Sequence, residues 1–125
     1  SGKSGTATLW PSSLCFGATW DTELVFRAAA AIGREFRGKG ANVILGPAVQ
    51  VHRVARNGRN FEYMSGEDPY LGAQLAGAYV RGVQSEGVMS CLKHFAFNEQ
   101  ETNRIGGNSV VDDRTAWEIY YLPFE

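Results

Sequence analysis

Apolar positions along the chain alternate between helical spacing and short continuous runs. After Asp21, residues Leu24, Val25, Ala28, Ile32 and Phe36 recur on one helical face, which predicts a helix over 22–37 with Asp21 as its cap and Gly38 and Gly40 at its end. Asn42-Val43-Ile44-Leu45-Gly46-Pro47 then reads as a strand buried on both faces and stopped by Pro47. Helical spacing returns with Leu71, Leu75, Ala78, Tyr79 and Val83. This second helix is capped by Asp68, has Pro69 in its first turn and is closed by Gly87. Val88-Met89-Ser90-Cys91-Leu92 is a second apolar run, expected to be buried. A third helix begins at Asp112 or Asp113, turns Ala116, Ile119 and Tyr120 inward, and ends at Pro123.

Strand, helix, strand in this order is a crossover unit, so the two strands are expected to be parallel. Two long polar stretches separate the elements, Gln50 to Glu67 and Asn98 to Val111. Loops of this length in a compact domain are usually functional or disordered, and Phe61, Tyr63 and the arginines of the first make it read as ordered. Ligands of parallel α/β folds bind at the carboxyl ends of the strands, and both loops leave from those ends. One carries Arg59 and Glu62, the other Asn98, Glu99, Glu101 and Arg104. Lys93 and His94 close the second strand between them. The expected site is therefore cationic and rich in hydrogen-bond donors. Two strands cannot close a barrel, which needs about 250 residues, so the 125 residues are read as an excerpt of a larger domain.

Composition narrows the classes. The chain is 44% hydrophobic and 20% charged with a net charge of −1, the profile of a globular domain without an electrostatic pull toward nucleic acid or an anionic membrane. No apolar run approaches the roughly 18 residues of a membrane helix. Cys15 and Cys91 are expected as free thiols, Cys91 buried in its strand. Two distant histidines and no C-x-x-C pair give no metal-ligand set, and no cofactor motif is present. Gly2-Lys3-Ser4 superficially resembles a phosphate-binding loop but lacks the preceding strand and first glycine.

Five motifs in order carry a more specific signal: Asn57-Gly58-Arg59-Asn60-Phe61-Glu62, Gly66-Glu67-Asp68-Pro69-Tyr70-Leu71, Gly82-Val83-Gln84-Ser85, Lys93-His94-Phe95 with Asn98-Glu99-Gln100-Glu101, and Val111-Asp112-Asp113-Arg114-Thr115. Together they resemble glycoside hydrolase family 3, β-glucosidase branch, over nearly the whole chain. The resemblance implies that residues 1–125 are part of an N-terminal (β/α)8 barrel, with parallel strands and covering helices, in an enzyme that cleaves β-glucosides with retention. It implies that Lys93, His94, Arg59 and Arg104 contact the sugar. It also implies that the nucleophile Asp and the acid/base Glu lie outside the chain, leaving no catalytic residue within it and the isolated chain inactive.

The implied partners are a β-glucoside or oligosaccharide, the rest of the barrel and the following domain. The residues do not fix a compartment; the resemblance leans toward secretion or the periplasm. Gln50 departs from the Asp common in the family, and the stretch after Lys93-His94 lacks the histidine of the N-acetylhexosaminidase branch. The alternatives are a non-catalytic carbohydrate-binding or structural fragment, or another specificity such as xylosidase or N-acetylhexosaminidase. Bland roles are expected for other residues: Glu62 and Glu67 as structural carboxylates, Arg59 braced by one or the other if it is not a sugar ligand, and Trp10 and Trp20 in packing rather than as sugar platforms.

Overall fold

The computed structural model describes residues 6–125. The Gly2-Lys3-Ser4 motif lies outside them. A short helix α1 (Ser13–Gly17) precedes the long helix α2 (Thr22–Gly38), followed by strand β1 (Val43–Ile44), helix α3 (Pro69–Ser85) and strand β2 (Met89–Ser90). The last element starts as helix α4 (Asp113–Thr115), widens into a π-helical stretch and closes in a 3-10 turn that contains Pro123.

The caps are those the sequence predicts. Asp21 Oδ1 accepts from Leu24 N at 2.9 Å, and Asp68 Oδ1 accepts from Tyr70 N and Leu71 N at 2.9 and 3.1 Å. At the third helix the choice falls on Asp112, whose Oδ1 accepts from Thr115 N at 3.0 Å. β1 and β2 pair in parallel, Val43 beside Met89 and Ile44 beside Ser90.

The core lies on one side of this pair. Val25, Ala29 and Ile32 of α2 meet Leu75, Ala78, Tyr79 and Val83 of α3, with Val49, Met64 and Val88 beneath. The two long helices approach closely at Gly82, where a Cβ would lie 2.4 Å from Phe26 O and 2.8 Å from Ala29 Cβ.

Among the described residues the strands are covered on one face only, so the expected burial on both faces is not met within residues 6–125. Side chains alternate across a strand. Val88 faces the helices and is buried, whereas Val43, Leu45, Met89 and Cys91 are exposed, Leu45 at 71%. Among the described residues helices cover only one face of the pair, and Cys91, expected to be buried, is exposed there. Both cysteines are free. Trp20 also departs from its expected packing role: its φ is +57° and it is 74% exposed. Trp10, by contrast, packs against the core.

Candidate sugar-binding site

Beyond the two strands, backbone pairing continues at the ends where the loops begin. Lys93 N donates to Pro47 O at 3.1 Å, Val49 N donates to Lys93 O at 2.9 Å, and Met64 N donates to Ala48 O at 3.0 Å. Ala48 thus bridges Lys93 on one side and Tyr63 on the other. This three-way junction brings side chains 31 residues apart into one cluster. The Lys93–His94 and Phe95–Ala96 peptides there are cis.

All four site residues predicted from the sequence join this cluster, linked by two carboxylates. Lys93 Nζ lies 2.7 Å from Glu62 Oε2, and the other Glu62 oxygen takes the Arg59 Nε–H. Arg59 Nη1 reaches Glu101 Oε1 at 3.2 Å, and Arg104 Nη1 reaches the same oxygen at 3.3 Å. Arg59 therefore pairs with Glu62, as expected of a braced arginine, and with Glu101 rather than Glu67. His94 joins through its ring, with Nδ1 2.6 Å from the Tyr63 hydroxyl.

Three cations against two carboxylates leave one net positive charge around an imidazole. Burial opposes charge on His94, and the Arg59 and Lys93 cations add to it, so its pKa lies below the ordinary value. Burial acts to raise the Glu62 pKa, but hydrogen bonds from Arg59 and Lys93 outweigh it, and the carboxyl titrates below its usual range. The bond to Glu62 raises the already high pKa of Arg59.

The cluster forms a floor rather than a closed pocket. A cleft of about 110 Å³ beside it is lined by Glu62, Lys93, Tyr79 and the Ile44–Ala48 segment. Enclosing ligand sites run to roughly 300–1,000 Å³. Arg104, at the edge, is the most exposed of the four, its side chain 46% accessible. Among the described residues no group of three or more His, Cys, Asp or Glu is placed to hold a metal, and no helix is long and apolar enough to cross a membrane.

Sequence reasoning passed over Tyr63 as a member and noted Gln50 only as a departure from the Asp common in the family. Gln50 is 1% exposed; its Nε2 donates to Asn98 O at 2.7 Å and to Glu99 Oε1 at 3.1 Å, and its Oε1 accepts from Asn98 N at 2.9 Å. It pins the second loop to the first. Its place where the family commonly has Asp, and its polarity inside the Val49–Val51 apolar stretch, were the sequence signals for it.

Comparison with known proteins agrees with this architecture. Residues 1–124 match the family model described as the glycosyl hydrolase family 3 N terminal domain. The chain is 48% identical over 119 residues to thermostable beta-glucosidase B of Acetivibrio thermocellus, covering 95% of this chain and 16% of that protein. It is 52% identical over 116 residues to a beta-glucosidase of Rhizobium radiobacter, covering 93% and 14%. Among solved structures, beta-glucosidase 3B of Thermotoga neapolitana in complex with alpha-D-glucose superposes with a TM-score of 0.90 at 44% identity, over 94% of this chain and 16% of that one. The GH3 beta-glucosidase of Bifidobacterium adolescentis gives a TM-score of 0.92 at 41% identity, over 98% and 18%. The chain thus spans less than a fifth of each of these proteins.

Proposed function

The chain belongs to glycosyl hydrolase family 3, as part of its N-terminal domain, and from that premise we propose that it forms the floor of the sugar subsite in a retaining β-glucosidase. The observation that carries this reading is the convergence of Lys93, His94, Arg59 and Arg104 at one end of the parallel strands. A glucosyl unit is neutral and dense in hydroxyls. An ammonium, two guanidiniums and an imidazole held by Glu62, Glu101 and Tyr63 offer directional donors with little freedom left to lose. Donors that bond more strongly to the flattened, oxocarbenium-like ring than to the ground-state sugar lower the barrier as well as KM.

Lys93, Arg59, His94 and Arg104 bind and orient; none of them cleaves. Retaining cleavage needs a carboxylate nucleophile and a carboxylic acid that still holds its proton. Glu62 is committed to two cations and its pKa is lowered, so it is a poor acid. Glu101 receives Asn98, Arg59 and Arg104. Burial pushes the Glu99 pKa up, but that carboxyl is bonded to Gln50 and to none of the four site residues. We therefore assign the nucleophile and the acid/base to other parts of the protein. The same reading places residues 1–125 within a (β/α)8 barrel whose remaining elements cover the open face of β1 and β2.

The test is the full-length protein on 4-nitrophenyl β-D-glucoside, with the product anomer followed by NMR. The reading expects β-glucose first, and a loss of kcat/KM in Lys93→Ala and in His94→Ala. An inverted product, greater activity on the xyloside or N-acetylglucosaminide, or binding without turnover would each replace it with one of the alternatives.

A further inference from the structure

The hydroxyl of Tyr63 is the one polar atom of a side chain that is otherwise core: the residue is 1% exposed, and its ring lies edge-on to His52 and tilted against His94. That hydroxyl has two neighbours. Asn98 Nδ2 lies 3.4 Å away, and His94 Nδ1 lies 2.6 Å away. The Asn98 amide is oriented by its other bonds. The same Nδ2 reaches the Glu101 carboxylate at 3.2 Å, which demands a donor there, and the Asn98 backbone is clamped on both sides by Gln50. The nitrogen of Asn98 therefore faces Tyr63, and the hydroxyl oxygen accepts from it. A hydroxyl has one proton, and the remaining neighbour for it is His94 Nδ1.

We infer that Tyr63 is a positioning residue for sugar binding: with Asn98 donating to its oxygen, it donates to His94 Nδ1 and so places the ring proton on Nε2. This rests on the β-glucosidase reading above. Nε2 has no hydrogen-bond partner among the described residues and is not a buried orphan, so the Nε2–H is free to donate to a sugar hydroxyl. The other tautomer would present a lone pair there and change which sugar oxygens can be bonded. Burial raises the Tyr63 pKa, so the phenol keeps the proton it donates. The charged groups that act on His94 are Arg59, Lys93 and Arg104, which oppose a second ring proton, and Glu62, which favours one. The imidazole thus acts as a neutral donor in a cationic site, its tautomer set by Tyr63 and its neutrality favoured by burial and by the Arg59, Lys93 and Arg104 cations.

The experiment is a double-mutant cycle in the full-length enzyme, read as kcat/KM on 4-nitrophenyl β-D-glucoside and as affinity for D-glucose by calorimetry. Tyr63→Phe removes only the hydroxyl and keeps the buried ring. It is expected to lower kcat/KM and glucose affinity by about tenfold, the scale of one misdirected hydrogen bond. In a His94→Ala background the same change is expected to cost less than about twofold, because the group it orients is gone. The acid limb of kcat/KM in Tyr63→Phe should also move to higher pH, since the neutral ring loses the donor that stabilises it. An equal loss in both backgrounds makes Tyr63 a packing residue and overturns the inference, as does a Tyr63→Phe enzyme indistinguishable from wild type. Wild-type protein that leaves the glucoside uncleaved brings down the glucosidase reading, and this inference with it.

Discussion

The Lys93 ammonium sits 2.7 Å from Glu62, and the same carboxylate holds Arg59 through its other oxygen. Glu62 is thus the brace that sets the spacing of the Lys93 and Arg59 donors. Replacing it with Gln keeps the shape but removes the charge that both cations face. On the proposed β-glucosidase reading, Glu62→Gln in the full-length protein should reduce kcat/KM by about 10- to 100-fold, which corresponds to roughly 1–3 kcal/mol for a charge-assisted contact. Steady-state kinetics check this. An unchanged KM with an unchanged kcat would mean that Lys93 and Arg59 are held by other contacts.

Acid should disable the site before neutral pH does. His94 titrates below its ordinary 6.5, and Glu62 below its ordinary 4.5. In both cases the unfolded chain takes up the proton first as pH falls. Their contributions are complete above 6.5 and 4.5 respectively, and are lost as pH drops through the lowered native values. Stability of the protein, measured by urea unfolding at several pH values, should therefore be flat near neutrality and fall on acidification below about pH 6.5. His94→Gln should remove the first part of that decline. A decline beginning on the alkaline side of neutrality would contradict these directions.

Two glycines of α3 should respond in opposite ways to the same substitution. At Gly82 a methyl group would meet Phe26 O at 2.4 Å, backbone that cannot move without shifting α2. Gly82→Ala should destabilise by about 1–3 kcal/mol or more. At Gly77 the nearest atom is the far end of the Arg81 side chain at 3.2 Å. Gly77→Ala should be neutral or stabilising by about 0.5–1 kcal/mol. Urea midpoints of the two variants check the pair.

The strand face that carries Val43, Leu45, Met89 and Cys91 should make residues 1–125 on their own a poor soluble species. The purified segment is expected to bind a hydrophobic dye, to self-associate in sedimentation and to leave 4-nitrophenyl β-D-glucoside intact. Cys15 and Cys91 should both react with a thiol reagent without denaturant. A monomer that melts sharply and binds no dye would contradict the exposed-face description.

Much of this molecule is written locally. Asp21 and Asp68 are read as caps because a carboxylate just before a helical pattern has only near neighbours to bond, and α2 and α3 follow within a residue of the predicted bounds. Parallel pairing follows from the crossover order, and the positions of Lys93, His94, Arg59 and Arg104 at the carboxyl ends follow from the strands. Tertiary structure alone decided the rest. An apolar run is the same string whether one face or two is covered, so Cys91 reads as buried, whereas within residues 6–125 the helices lie on one side and leave it exposed. Nor does a list of charges say which carboxylate meets which cation: Glu62 reaches Lys93, Glu101 reaches Arg59, and Tyr63 reaches His94 across 31 to 42 positions of sequence. Capping and periodicity are short-range and survive in one dimension. Hydrogen-bond direction, and with it the state of His94, exists only once the loops have closed on each other.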